Sequence, residues 1–458
     1  MNTLIKDITI INEGLSFQGS LLIKDELIEG IIDSKLADYP LIRHQWESTA
    51  DKVIDGKDSF LIPGVIDDQV HFREPGATQK GDIESESAAA VLGGTTSFMD
   101  MPNNNPPVVT CEALEQKYEI ASRKSYANYS FYLGATNNNI EEIRKADPKK
   151  ICGIKLFMGS STGNMLVDSD NALDEIFGNG KHLVALHCEQ ESTIKENTEK
   201  AKQEFGTNPD GTSAIPFSAH PQIRSAKACI ECSSKAIALA HKHKTRAHIL
   251  HISTKEEIEM IEKARLQTPS ITGEICAHYL FFDDSHYSKY GSKIKCNPAI
   301  KSSEDRMAII EAVKNSKVAA LATDHAPHLE NEKKGDYLKA PSGIPTVQHS
   351  LQMMLQLNSQ GIISKEQIVK MMCHAPADCF RVEKRGYIRQ GYYADIVIFK
   401  KEKYTVTKEN VAYKCGWSPF EGESFDYTIT DTFINGTHTV ADGKLTGNIN
   451  AKRLEFDN

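Results

Sequence analysis

Apolar and polar residues alternate in two different ways along the chain, and the change marks its organisation. At both ends, short alternating runs are interrupted by Gly, Asp or Asn-Gly, as in LIKDITIINEG near the start and YTITDTFINGTHTVADGK near the end. A period of two combined with these turn residues predicts β-hairpins. Both ends of the chain are therefore expected to form small β units.

From Leu61 onward, compact apolar runs alternate with amphipathic segments such as CEALEQKYEIASRK, which predict helices. The runs that we predict as strands are LIPGVIDDQVH, TTSFMDMP, YSFYLGAT, ICGIKLFM, HLVALHCE, RAHILHIS, ITGEICAH and VAALATDH. Eight strands that alternate with helices over about 260 residues have the size and rhythm of a (β/α)8 barrel. A doubly wound open sheet shares the alternation, but no Gly-rich nucleotide-binding motif follows the first strand.

Composition narrows the function classes. A hydrophobic content of 40% and a charged content of 25% are those of a soluble globular protein. The net charge of −9 argues against a general nucleic-acid binder, and no apolar run approaches the roughly 20 residues of a membrane span. Ten scattered cysteines indicate a reducing cytoplasm, and the single pair Cys229 and Cys232 lies in a predicted helix rather than in a zinc motif.

Side chains that can carry chemistry recur at the carboxyl-terminal ends of the predicted strands. They are His71, Lys155, His187, His251, His278 and Asp324. Barrel enzymes place their active sites at this rim, whereas barrel interiors are packed with branched apolar residues. Each of these residues alone has a structural explanation, but their convergence on one rim predicts a shared site.

The residue types indicate a metal site, because neutral imidazoles and carboxylates bind zinc and similar divalent ions. Lys155 is the candidate for a bridge between two ions. A buried lysine near cations loses its proton readily, and its neutral amine can add carbon dioxide to form a carbamate with two oxygens. This modification is a hypothesis.

A series of motifs resembles the amidohydrolase superfamily and, within it, the dihydroorotase branch. The motifs span nearly the whole chain and are HFREPG, DMPNNNPP, GIKLFMGSSTGNMLVD, LHCE, LHISTKEE, CNPAIKSSEDR, ATDHAPH, SGIPT, GYIRQGYYADIVIF and WSPFEG. The resemblance implies an α/β fold with a (β/α)8 TIM barrel over residues 61–384. It also implies a small β-sandwich domain built from residues 1–60 and residues 385–458.

The resemblance implies a role for each site residue. The zinc ligands that it implies are His71, Lys155, His187, His251 and Asp324. Carboxylated Lys155 would bridge two zinc ions, two being favoured over one, and Asp324 would also carry a proton. The substrate contacts that it implies are Arg73, Asn103, Asn297 and His328 and the backbone near Ser342 and Gly343. His278 receives no role from the resemblance, and a structural or supporting position is expected.

Gln69 departs from the family pattern, which has His two residues before His71. Three alternatives follow. The first metal is held by His71, Lys155 and Asp324 with Gln69 nearby, or Gln69 ligates through its amide oxygen, or the site holds one metal or is impaired.

The activity implied is the reversible cyclisation of N-carbamoyl-L-aspartate to L-dihydroorotate in pyrimidine biosynthesis, by a cytoplasmic homodimer. Arg73 would grip the substrate carboxylate with two parallel hydrogen bonds. One alternative is a hydantoinase or allantoinase, which has no need of this arginine. Another is a non-catalytic homologue that scaffolds a carbamoyltransferase, for which Gln69 is the support. The polar stretch LENEKKGDYLKAPSG after the last strand is expected to be a lid.

Overall fold

The computed structural model describes residues 1–159 and 165–458 of the chain. The strands of these residues are β1 (Asn2–Asn12), β2 (Leu15–Lys24), β3 (Leu27–Asp33), β4 (Lys52–Asp55), β5 (Ser59–Pro63), β6 (Val65–Val70), β7 (Thr95–Asp100), β8 (Asn128–Phe131), β9 (Leu133–Gly134), β10 (Ile154–Phe157), β11 (Val184–His187), β12 (Ala247–Ile249), β13 (Ile271–Cys276), β14 (Ala320–Ala322), β15 (Ile396–Lys400), β16 (Tyr404–Thr405), β17 (Ser424–Phe425), β18 (Thr428–Ile434), β19 (Thr437–Ala441) and β20 (Lys444–Leu445).

The α-helices of the described residues lie mostly between the parallel strands. They are α1 (Tyr39–Thr49), α2 (Ile83–Leu92), α3 (Cys111–Lys124), α4 (Ile140–Lys145), α5 (Asp170–Gly178), α6 (Glu191–Phe205), α7 (His220–Ile223), α8 (Ala226–His243), α9 (Lys255–Arg265), α10 (Ala277–Phe281), α11 (Tyr287–Tyr290), α12 (Ser303–Lys314), α13 (Glu330–Lys333), α14 (Ser350–Ser359), α15 (Lys365–Val369) and α16 (Ala375–Phe380). Short 3-10 helices cover Phe217–Ala219, Asp284–His286 and Gly291–Ile294, and a π-helical turn covers Lys370–His374. None of the helices in the described ranges combines the length and hydrophobicity needed to span a bilayer.

Eight parallel strands close into a barrel. Strands β6 to β8 pair in one sheet and β9 to β14 pair in another. Only Tyr132 separates β8 from β9, so these two segments form one interrupted strand that joins the sheets. A parallel bridge between Val70 and His325 connects the first strand to the chain just beyond the last. The structure thus has the predicted barrel, with strands at the eight predicted runs.

The two faces of the barrel strands differ in chemistry, as a period of two requires. In β10, Ile154 and Leu156 belong to the main apolar cluster between strands and helices. Lys155 and Phe157 lie on the opposite face and line a pocket inside the barrel mouth. The apolar face anchors each strand to its helices, and this packing fixes where the polar residues of the other face point.

Strands from both ends of the chain share one nine-stranded sheet, in which β5 pairs with β15 and β1. Its own apolar cluster includes Ile5, Ile10 and Ile396. The hairpin of β18 and β19 turns at Asn435 and Gly436, whose φ angles of +47° and +74° suit the two-residue turn that Asn-Gly predicts. The exact limits proposed for the terminal domain stay predictions.

Side chains at helix N-termini fix the ends of the loops that surround the barrel mouth. Thr254, for example, accepts the backbone N–H of Glu257 and caps α9, which follows the loop that carries His251. Cys229 and Cys232 are buried within α8, as expected for ordinary helix residues.

Candidate active site

A pocket lies at the carboxyl-terminal ends of the barrel strands. Its lining residues are Gln69, His71, Arg73, Lys155, Phe157, His187, His251, Asn297, Asp324, Ala326, Ser342 and Gly343. The set contains all the predicted metal ligands and four of the predicted substrate contacts. The other two predicted contacts, Asn103 and His328, are not among the lining residues. Asn103 lies at hydrogen-bond distance from His71, and His328 lies at hydrogen-bond distance from Arg73.

His71 and Asp324 face each other on one side of the pocket. His71 Nε2 lies 3.0 Å from Asp324 Oδ1, and His71 Nδ1 lies 2.8 Å from Asn103 Oδ1. Both partner atoms are acceptors, whereas a neutral imidazole carries a single proton. When Nδ1 donates that proton to Asn103, the lone pair of Nε2 points at Asp324, and a cation between the two atoms would satisfy both.

Gln69 lies beside this pair. Its Nε2 donates to Asp324 Oδ1 at 3.1 Å, and its buried Oε1 has no hydrogen-bond partner among the described residues. The amide nitrogen, which does not ligate metals, therefore faces the carboxylate. The amide oxygen is the atom that a cation or a substrate N–H could engage.

His187 and His251 form the second half of the site, with His187 Nδ1 at 3.0 Å from His251 Nε2. Burial lowers the pKa of both histidines, so both rings are neutral near pH 7 and offer lone pairs. His187 Nε2 lies 3.2 Å from Glu189 Oε2, and Glu189 pairs with Arg224. Burial opposes the charge on Glu189, but Arg224 and His187 outweigh it and lower its pKa to about 2. A carboxylate behind a histidine orients that ring toward a metal.

Lys155 lies fully buried on the wall of the same pocket. Burial lowers the pKa of Lys155 to about 8, and the nearby Asp324 opposes this shift. Its Nζ lies 4.6 Å from the ring centroid of Phe157 and makes no hydrogen bond or ion pair within the described parts of the chain. The amine is thus uncommitted, and a pKa of about 8 leaves a fraction of it neutral near pH 7, which is the form that can add carbon dioxide.

Three residues of the site have left-handed backbone conformations that non-glycine residues rarely adopt. The φ angles are +69° at Arg73, +41° at His251 and +47° at Asp324. Such conformations cost about 1–3 kcal/mol each and cluster at functional sites. At His251 the surrounding structure holds this conformation, since the backbone N–H donates to Glu274 Oε1 at 3.2 Å.

The donor set fits a divalent cation such as zinc. Bonds of about 2.0–2.1 Å place tetrahedral ligand atoms roughly 3.3 Å apart. The facing atoms of His71 and Asp324, and those of His187 and His251, are both separated by 3.0 Å. Other buried polar atoms of the pocket lack a hydrogen-bond partner in the described structure, among them Gln69 Oε1, His251 Nδ1 and Asn297 Oδ1.

The Arg73 guanidinium gives the pocket a partly buried positive charge. Its Nε donates to Pro327 O at 3.1 Å, and Nη2 lies 3.1 Å from His328 Nε2. Among the described residues, no carboxylate lies within the 4.0 Å of an ion pair with Arg73, whose pKa is lowered by burial. A guanidinium stays protonated in proteins, so this charge is available to an anionic ligand.

A second polar cluster lies deeper in the barrel and was not predicted. His248 Nε2 is 3.2 Å from both Asp68 Oδ2 and Glu274 Oε2, and all three side chains are fully buried. Their ligand atoms lie close enough together to hold a cation. Burial opposes a charge on His248, but its neighbours, including Asp68 and Glu274, raise its pKa well above the usual value. The sequence signal that could have predicted this cluster is a charged residue inside an apolar run, such as Glu274 in ITGEIC.

His278 is not among the residues that line the pocket, and its supporting position stays a prediction. Its Nε2 lies 3.6 Å from Cys296 Sγ, and burial lowers its pKa to about 4. The motif GIKLFMGSSTGNMLVD includes residues 160–164, which lie outside the described residues.

Comparison with known proteins identifies the family. The sequence pattern of the amidohydrolase family matches residues 60–439. The chain belongs to the amidohydrolase family. A dihydroorotase of Methanosphaera stadtmanae is 33% identical over 382 residues, which cover 83% of this chain and 85% of that protein. An allantoinase of Bacillus velezensis is 31% identical over 418 residues, which cover 90% of this chain and 89% of that protein.

The solved structure of L-hydantoinase (dihydropyrimidinase) from Arthrobacter aurescens matches with a TM-score of 0.89 and 25% identity, over 97% of each chain. This confirms the predicted fold class, a TIM barrel with a β-rich domain. The amidohydrolase chain is an enzyme of the cyclic amide hydrolase class, as the sequence predicted.

Proposed function

We propose that this amidohydrolase is a dihydroorotase, which interconverts L-dihydroorotate plus water and N-carbamoyl-L-aspartate in pyrimidine biosynthesis. The observation that carries the proposal is the partly buried Arg73 guanidinium in the pocket that also holds the candidate metal ligands. Both compounds carry a carboxylate outside the reacting amide, and a guanidinium binds a carboxylate through two parallel hydrogen bonds.

In the proposal, His71, Asp324, His187 and His251 would hold the divalent ions, together with Lys155 in carboxylated form. A bound ion would supply a coordinated water of lowered pKa and would polarise the amide carbonyl. The protein's own part is to keep His187 and His251 neutral by burial and to orient His187 through Glu189.

Asp324 is the proposed proton carrier. Its Oδ1 accepts from Gln69 Nε2, whereas Oδ2 has no partner within the described structure. In ring opening, a water oxygen bonds to the ring carbonyl carbon and the amide C–N bond breaks. One water proton passes through Asp324 Oδ2 to the leaving nitrogen, and the second is released when the new carboxyl group ionises. Cyclisation runs the same steps in reverse.

Arg73, Asn297 and the Ser342–Gly343 backbone are the proposed substrate contacts that line the pocket. Asn103 and His328 support them from outside, since Asn103 Oδ1 contacts His71 and His328 Nε2 contacts Arg73. Cytoplasmic location and a homodimeric state stay predictions from the sequence.

Hydantoinase or allantoinase activity is the second candidate, favoured by the allantoinase relative and the hydantoinase structure. The test compares the turnover of L-dihydroorotate, hydantoin and allantoin by the purified, zinc-loaded protein. Turnover is measured as the rate at which the ureido product is released. The proposal predicts the highest kcat/KM for L-dihydroorotate. Turnover of hydantoin or allantoin with none of L-dihydroorotate would reverse the assignment.

A further inference from the structure

One wall of the pocket is a loop that takes its hydrogen bonds from two buried lysines. Residues 337–343, here named the roof segment, contain no helix or strand. Their last two residues, Ser342 and Gly343, line the pocket. Backbone carbonyls outside regular structure need other donors when they are buried.

Lys333 supplies donors at the pocket end of the roof segment. Its Nζ donates to Pro341 O at 2.9 Å and to Gly343 O at 3.0 Å, and it lies 3.4 Å from Lys295 O. The side chain is 3% exposed. Lys333 therefore bonds directly to the backbone of a pocket residue without itself facing the pocket.

Lys295 supplies donors at the other end. Its Nζ donates to Tyr337 O at 2.6 Å and to Ala340 O at 2.7 Å. Its own carbonyl accepts the N–H of Gly343 at 2.8 Å. The two lysines thus satisfy four of the seven carbonyls of the roof segment.

Neither lysine takes part in an ion pair within the described ranges, and their side-chain hydrogen bonds go to backbone carbonyls, four of them in the roof segment. Gly343 also has little freedom to move alone. Its φ is +147°, and a Cβ there would lie 2.4 Å from Ala326 O. The position of Gly343 is therefore set by the bonds at Lys295 and Lys333 and by close packing on Ala326.

We infer that Lys333 and Lys295 are positioning residues of the proposed reaction, which hold the roof segment so that Ser342 and Gly343 meet the substrate. The inference rests on the proposed function for its substrate but not for its geometry. A buried carbonyl that loses its donor is left unsatisfied, so the loss of the hydrogen bonds at Lys333 should release the roof segment. The loss of these hydrogen bonds should leave metal binding and the bond-breaking step unchanged.

The test compares Lys333→Met, which removes the donors and keeps an unbranched side chain, with Lys334→Met. Lys334 is the matched control because its side chain is 70% exposed. Hydrogen–deuterium exchange of the peptide spanning residues 337–345 needs no substrate. In Lys333→Met we expect exchange at least about tenfold faster and a KM for L-dihydroorotate at least about tenfold higher. The kcat should stay within about threefold and the zinc content should be unchanged.

Faster exchange together with a raised KM supports the inference. Unchanged KM in folded Lys333→Met overturns it, whether or not exchange is faster, because the lysine would then have a structural role only. Should Lys333→Met fail to fold, Lys295→Met is judged by the same two measurements. Should the wild type not turn over L-dihydroorotate, the proposed function fails, and KM is measured with the cyclic amide that is turned over.

Discussion

Replacement of Arg73 by Met removes the only charged group that the proposal assigns to the substrate carboxylate. An arginine has five N–H donors. Pro327 O takes Nε–H and His328 Nε2 faces Nη2, so three donors remain for a ligand. Two charge-assisted hydrogen bonds of about 1.5–3 kcal/mol each sum to about 3–6 kcal/mol, which is about 10²–10⁴-fold in kcat/KM.

The assay is steady-state turnover of L-dihydroorotate by wild type, Arg73→Met and Arg73→Lys at equal zinc content. Arg73→Lys should fall between the other two, because an ammonium keeps the charge and loses the parallel geometry. Dihydrouracil, the same ring without the carboxylate, is the matched substrate, and its turnover should not fall in Arg73→Met. Arg144→Met, with a side chain 48% exposed on α4, is the control variant. A folded Arg73→Met enzyme that keeps kcat/KM for L-dihydroorotate within about threefold would refute the carboxylate grip.

Three further predictions concern the metal side of the pocket and the strand that leads to it. Asp324→Asn should lower kcat by about 10²–10⁴-fold with an unchanged circular dichroism spectrum, and retained activity would remove it as proton carrier. Glu189→Gln should weaken zinc binding about 10–100-fold in a chelator competition. Glu196, whose side chain is 63% exposed, is the control, and Glu196→Gln should bind zinc like the wild type. Equal zinc affinities of Glu189→Gln and the wild type would exclude the orienting role. Burial, with a contribution from Asp68, raises the pKa of Asp67 to about 8, so its folded form keeps a proton that the unfolded chain releases above about pH 4. The stability of the wild type, measured by thermal unfolding, should therefore fall as pH rises from 5 to about 8. Asp67→Asn should reduce this fall. An unchanged dependence of stability on pH in Asp67→Asn would show that Asp67 is not the group responsible.

Sequence patterns predicted the barrel and the polar residues at the carboxyl-terminal ends of its strands. Both depend on the alternation of residues within short segments of the chain. The period of two in runs such as ICGIKLFM separates Ile154 and Leu156 from Lys155, and the barrel rule places strand ends together. This was sufficient to assemble residues as distant as His71 and Asp324, which the structure brings to 3.0 Å.

The remaining features depend on tertiary pairing, which a single sequence does not display. Glu189 and Arg224 are 35 positions apart, and nothing in either segment indicates their ion pair behind His187. Lys333 lies in the polar stretch for which the sequence predicted a lid, and nothing in that stretch indicates that this lysine is 3% exposed and bonded to the roof segment. The direction of the Gln69 amide likewise depends on Asp324, which follows the last barrel strand and is 255 positions away.

The most direct test of the account is turnover of L-dihydroorotate measured against the zinc bound per chain, starting from protein stripped of metal. The account predicts no turnover without metal, a rise in proportion to bound zinc, and loss of both binding and turnover in a His187→Ala, His251→Ala double variant. Folded, zinc-saturated protein that leaves the L-dihydroorotate ring intact would contradict it.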